Sequence, residues 1–102
     1  MSDITLDPML DFTDKVVLIT GAASGLGAML AEQFSERGAK LVLGDIDEDG
    51  LAQTASMLEG DSVTLRCDVT VESDCAALTE AACEMFGGLD IAINNAGYGH
   101  QL

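Results

Sequence analysis

The stretch Lys15-Val16-Val17-Leu18-Ile19-Thr20-Gly21-Ala22-Ala23-Ser24-Gly25-Leu26-Gly27 decides how this chain folds. Val16 to Thr20 is an apolar run that reads as a short buried strand, and Leu26 to Arg37 is amphipathic and reads as a helix. The glycines between them let the backbone turn sharply and come close to a ligand. The following helix points its free N–H groups and positive dipole end into the turn, which makes an anion cradle. The spacing is G-x-x-x-G-x-G, not the G-x-G-x-x-G of the general dinucleotide fingerprint.

Working outward, Leu41–Asp45, Ser62–Cys67 and Leu89–Asn94 read as further buried strands separated by helical stretches. In the first helix Leu26, Leu30 and Phe34 recur at i, i+4 and i+8 with Met29 beside them, and Gly38 follows as a C-cap. The second, Glu48 to Leu58, carries Leu51, Ala55 and Leu58 on one face. The third has Thr70 as N-cap and Glu72 and Asp74 in its first turn. It places Cys75, Leu78, Ala82 and Phe86 on one face before Gly87-Gly88 end it. Strands alternating with helices predict an α/β fold, a Rossmann-like doubly wound parallel sheet in the order 3-2-1-4. The expected organisation is an acidic tail over 1–12 and one nucleotide-binding domain over 13–102. The chain stops eight residues after Asn94, where a complete fold of this type continues.

Bulk composition narrows the partners. Eighteen acidic against four basic residues give a formal charge of −14, which opposes nucleic acid and anionic membranes as partners. That charge also repels a pyrophosphate at long range, so anion binding must rest on local backbone donors. Met1 to Asp14 lacks the basic start and apolar stretch of a secretory signal, and no apolar run approaches the ~20 residues of a membrane helix. A cytoplasmic protein is expected. Cys67, Cys75 and Cys83 form no metal-ligand spacing, and His100 is the only histidine. Cys75 and Cys83 fall eight residues apart on one helix, about 12 Å at ~1.5 Å per residue, too far for a disulfide. Buried thiols in a reducing compartment are the reading.

Three further features stand at predicted strand ends. Asp45 follows Gly21 by 24 residues, near the spacing at which a carboxylate accepts from an adenosine ribose and repels a 2′-phosphate. By itself it is equally the start of a polar turn. Asp68 serves either as part of a helix cap with Thr70 or as an acceptor for an adenine amino group, with Val69 against the ring. Asn94-Asn95-Ala96-Gly97 is an ordinary turn in isolation, but at the switch point beside the first strand it faces a nicotinamide ribose.

Taken together, Thr20 to Gly27, Asp45, Asp68-Val69 and Asn94-Asn95-Ala96-Gly97 closely resemble the short-chain dehydrogenase/reductase family in its classical branch, over about Phe12 to Gly99. The resemblance implies that Gly21, Ser24, Gly25, Leu26 and Gly27 wrap a pyrophosphate. It implies that Asp45 holds the ribose, that Asp68 and Val69 bind adenine, and that Asn95, Ala96 and Gly97 line the nicotinamide side. Asn94 ties the central strands. Members preferring NADP often carry Arg or Lys at the Ser24 position or after the second strand. Ser24 and Asp45 stand here instead, so NAD is the implied cofactor. The family's catalytic Ser and Tyr-x-x-x-Lys find no match: Tyr98 is the one tyrosine, Leu102 stands four residues on, and Lys15 and Lys40 lie upstream.

The leading expectation is thus the NAD-binding amino-terminal half of an oxidoreductase. The intact protein would transfer hydride between NAD(H) and a small alcohol or carbonyl substrate, as a homo-oligomer, and this chain alone would be inactive. The alternative is a stand-alone, non-catalytic dinucleotide-binding module, against which Ile91 and Ile93 would leave an apolar unpaired edge. A methyltransferase also uses a glycine turn and an acidic residue, but the turn spacing and Asn94 to Gly97 oppose it.

Overall fold

The computed structural model describes residues 6, 7 and 9–96. In chain order they form β1 (Val16–Thr20), α1 (Gly25–Glu36), β2 (Lys40–Asp45), α2 (Glu48–Ser56), β3 (Ser62–Arg66), α3 (Glu72–Phe86) and β4 (Ile91–Asn94). All pairings are parallel and the order is β3-β2-β1-β4, as right-handed crossovers predict. The last strand begins at Ile91, later than its apolar pattern, because Asp90 is engaged with the start of β1. Its N–H donates to Val16 O at 2.9 Å and its carboxylate accepts from Val16 N–H at 2.9 Å.

Side chains alternate across each strand, and this divides the core in two. Val17 and Ile19 of β1 and Leu41 and Leu43 of β2 share one core with Ala31, Phe34 and Leu51 from α1 and α2. Val16, Leu18 and Val42 share the other with Leu78 and Ala82 of α3. Covered on both faces, β1 and β2 read as unbroken apolar runs. At the edge, β4 instead alternates half-buried Ile91 and Ile93 with exposed Ala92 and Asn94.

Three local expectations change. The buried residues of α1 are Gly27, Ala31, Phe34 and Ser35, while Leu30 packs only at the margin of the core. The helix lies too close to the sheet for bulk on that line: a Cβ on Gly27 would stand 2.0 Å from Gly21 O. In α2 the buried set is Gly50, Leu51 and Thr54, a face rotated toward the glycine turn and away from Ala55 and Leu58. Thr70 does not cap α3, whose N-cap is Val71. Asp68 Oδ1 instead accepts from Thr70 N–H at 2.9 Å and from its hydroxyl at 2.6 Å, since a two-residue Asx turn is closer at hand than the helix.

The acidic N-terminal stretch is fastened from Leu6 onward. The Arg37 guanidinium, on the residue that closes α1, donates to Leu6 O at 2.7 Å, Asp7 O at 3.1 Å and Gln33 O at 2.9 Å. Phe12 sets its ring edge-on to Phe34, with centroids 5.0 Å apart. Gly38, at φ +94°, then turns the chain from α1 into β2.

Candidate functional site

The turn between β1 and α1 is built from three glycines with different jobs. Gly21 has φ +69° and Gly25 has φ +59°, backbone conformations that other residues adopt only with strain. A Cβ on Gly21 would meet Asn95 Nδ2 at 2.8 Å, whereas one on Gly25 would meet nothing within 4 Å. Gly25 therefore keeps open space above the turn, and Gly27 keeps the helix against the strand. Ser24 is the N-cap of α1 in an extended conformation, and its exposed side chain makes no capping bond. The first N–H groups of a helix have no partner within it, and here those belong to Ser24 to Gly27 at the turn.

The carboxyl ends of the other strands close around this turn. Asp45 Oδ2 accepts from Ala23 N–H at 3.0 Å and Oδ1 from Asp47 N–H at 3.0 Å. Asp45 thus starts the polar turn and also braces the glycine turn. Asp47 caps α2 by accepting from Gly50 N–H at 3.0 Å, and Glu48 and Asp49 occupy the first turn, favourable for the helix dipole. After β3, Asp68 N–H donates to Asp74 Oδ2 at 3.0 Å, which sets the Asp68 carboxylate and Val69 beside the cleft.

On the opposite side Thr20 joins β1 to the exit of β4. Its hydroxyl, on a residue 6% exposed, donates to Asn94 Oδ1 at 3.0 Å and accepts from Asn95 N–H at 3.0 Å and Ala96 N–H at 3.2 Å. Asn95 Nδ2 donates to Gly21 O at 3.3 Å. Asn94 therefore ties the central strands as the family resemblance implies, and Asn95 supports the glycine turn from behind.

These ends frame a cleft of about 360 Å³ lined by Gly21, Asp45, Ile46, Cys67, Asp68, Val69, Thr70 and Ala96. Its size lies within the roughly 300–1,000 Å³ usual for ligand pockets. Of the sequence candidates it gathers Gly21, Asp45, Asp68, Val69 and Ala96. Ser24, Gly25 and Leu26 stand on the turn outside its lining, Gly27 lies buried beneath the turn, and Gly97 falls outside the described residues, as do Tyr98 and His100. Ile46 escaped the sequence reading: it is 56% exposed at the cleft, and an apolar residue inside an acidic run was its only signal. No group of His, Cys, Asp or Glu able to hold a metal ion occurs among the described residues. No helix among them is long and apolar enough to cross a membrane.

All three cysteines are free thiols. Burial pushes the Cys67 thiol up to about 11, helped by Cys75, Asp74 and Asp68 nearby. With the pKa raised, the neutral thiol persists until the pH approaches that value. In native protein at pH 8, iodoacetamide is expected to label exposed Cys83 first and Cys67 last, read by peptide mass. Labelling of Cys67 as fast as Cys83 would contradict its placement.

Known proteins share this arrangement. The sequence model of the short chain dehydrogenase family matches residues 15–102. The tropinone reductase-like 1 protein of Erythroxylum coca is 46% identical over 83 residues, which cover 81% of this chain and 30% of that protein. The L-fucose dehydrogenase of Oryctolagus cuniculus is 45% identical over 86 residues, covering 84% and 30%. Among solved structures, the hydroxysteroid dehydrogenase from Escherichia coli superposes with a TM-score of 0.81 at 36% identity, covering 87% of this chain and 39% of that one. A short-chain dehydrogenase/reductase from Burkholderia phymatum in complex with NAD gives 0.78 at 40% identity, covering 82% and 31%. The chain thus spans about a third of the length of these relatives. With its glycine turn, its strand order and the Thr20–Asn94 tie all in place, the chain belongs to the short-chain dehydrogenase/reductase family of oxidoreductases.

Proposed function

We propose that this chain is the NAD(H)-binding amino-terminal half of an oxidoreductase that moves hydride between the cofactor and an alcohol or carbonyl substrate. The observation that carries the reading is the cleft in which Asp45, Asp68, Val69 and Gly21 of the glycine turn meet. The cradle fits a dinucleotide: Gly25 leaves room over the helix N-terminus for phosphate, and Ile46 and Val69 offer apolar surface to a base. Gly21, Ser24, Gly25, Leu26 and Gly27 would hold the pyrophosphate, Asp45 the adenosine ribose, Asp68 and Val69 the adenine, and Asn95, Ala96 and Gly97 the nicotinamide side. When bound, the nicotinamide supplies the hydride donor or acceptor. The Burkholderia phymatum protein in complex with NAD supports this assignment.

NAD is favoured over NADP. A carboxylate has about four lone-pair sites, so Asp45 can hold Ala23 and Asp47 and still accept from ribose hydroxyls. A 2′-phosphate would meet Asp45 and the adjoining Asp47, Glu48 and Asp49, with no Lys or Arg between them. The family's Ser and Tyr-x-x-x-Lys have no match in this chain, so its own contribution is cofactor binding. The three free thiols support a reducing, cytoplasmic setting. Substrate choice and assembly as a homo-oligomer are assigned to the intact protein.

The test is a calorimetric titration with all four cofactors. NAD(H) is expected to bind about tenfold or more tighter than NADP(H), since one unscreened like charge is worth on the order of 1 kcal/mol or more. Asp45→Asn, which removes charge but keeps an oxygen for Ala23 N–H, is expected to close most of that gap. Equal affinities in the unaltered chain would overturn the NAD assignment.

A further inference from the structure

The geometry points to Thr54, in the last half of α2, as a positioning residue for the phosphate-facing part of the glycine turn. This rests on the cofactor reading above. Thr54 is 2% exposed, and its hydroxyl donates to Ala22 O at 2.8 Å, with Ala23 O also within 3.4 Å. A helical threonine ordinarily satisfies its hydroxyl on a carbonyl of its own preceding turn. Here the bond instead spans 32 residues to another element.

The rest of α2 is shaped for the same contact. Gly50 is buried one turn earlier, and a Cβ there would stand 2.7 Å from Ala23 Cβ and 3.1 Å from Ala23 O. Only glycine lets the helix come near enough for Thr54 to reach. The remaining polar groups of Ala22 and Ala23 go the same way: Ala22 N–H donates to Gly44 O at 3.2 Å and Ala23 N–H to Asp45 Oδ2 at 3.0 Å. Both peptide groups are therefore held by the β2–α2 unit, donors and acceptors alike.

A division of labour within the turn follows. Ala22-Ala23 is a fixed hinge, and Ser24 to Gly27 is the part left to donate to an anion. The direction in which those donors converge is set by the hinge, and Thr54 supplies the hydroxyl that holds the hinge carbonyls. Asp45 takes part in the same clamp, but it also faces the ribose, so its replacement mixes two effects. Thr54 lies outside the cleft lining, so its replacement isolates the clamp.

The experiment compares Thr54→Val, which keeps the volume and removes the donor, with Thr54→Ser, which keeps the donor. Thr54→Val is expected to weaken NAD and ADP by a common factor of roughly five to ten, since binding must then re-order a turn that one buried hydroxyl–carbonyl bond no longer holds, while Thr54→Ser stays within about twofold of the unaltered chain. Adenosine, which has no phosphate, is expected to be unaffected by either change in a competition titration. Equal weakening of adenosine, or unchanged ADP binding in Thr54→Val, would overturn the positioning role in favour of plain core packing. Amide exchange on the unaltered chain without cofactor gives a measurement free of substitutions. Ala22 and Ala23 N–H are expected to be protected already, and Ser24 to Gly27 only after NAD is added. If Ala22 and Ala23 gain protection only with NAD, the clamp is refuted, even where Thr54→Val does not fold. Failure of the unaltered chain to bind NAD would instead strike the cofactor reading, and the exchange pattern would still judge the clamp.

Discussion

Gly27→Ala is expected to cost about 3 kcal/mol or more of stability, a large share of what a small domain has. The added Cβ would lie 2.0 Å from Gly21 O and 2.7 Å from Gly21 C. Both are backbone atoms, so no side chain can swing aside. Either α1 lifts from the sheet or the turn moves, and each loosens the core formed by Ala31, Phe34, Ile19 and Leu43. Alanine's better helix propensity returns only about 1 kcal/mol. The check is thermal or urea unfolding. A midpoint lowered by roughly 12 °C or more is the expected result for a chain of this length, and a midpoint unchanged within about 2 °C would show that the close approach is not what holds the helix.

Gly25→Val is expected to do the reverse, sparing the fold and removing the cofactor. A Cβ there meets nothing within 4 Å, so no clash opposes the side chain. The φ of +59° imposes strain of about 1–2 kcal/mol, enough to lower the melting point by several degrees and not enough to unfold the chain. The two valine methyls would fill the space from which an anion meets the N-terminal N–H groups of α1. Charge-assisted bonds of this kind are worth roughly 1.5–3 kcal/mol each, so losing two weakens NAD about a hundredfold or more. Circular dichroism and calorimetry on the same sample separate the two effects. A folded Gly25→Val protein that binds NAD as the unaltered chain does would mean that the phosphate lies elsewhere.

The contrast between these neighbouring glycines also marks how far the sequence could be read. Strand order and crossovers were legible, because short apolar runs alternating with helical patterns answer to a parallel sheet covered on both faces. Asp45, Asp68, Val69 and Ala96 could be placed near one cleft, since each stands at or just past the carboxyl end of a strand. What stayed hidden depends on distances between elements. The α1 contact line runs through Gly27, Ala31 and Ser35 because the turn pulls the helix against β1, and hydrophobicity points instead to Leu26 and Leu30. Thr54 and Gly50 look like unremarkable helix residues until α2 is seen against Ala22 and Ala23. Arg37, read from the sequence only as the end of the first helix, is the clasp for Leu6 and Asp7. Thr70 had two acceptable partners, and the nearer one, Asp68, won.

The double attachment of Asp45 bears on how such a protein could change its coenzyme over evolutionary time. A carboxylate that only discriminated between coenzymes could be exchanged for a small or basic residue in a single mutational step. Here Asp45 also holds Ala23 N–H, so the same step releases one strap of the loop before any new affinity has been gained. For a small or basic replacement the route is an ordered one, in which a compensating change that steadies the loop arises first, whereas Asn keeps the strap. On the proposed role of Asp45, a change of coenzyme is tied to the support of the turn as well as to charge.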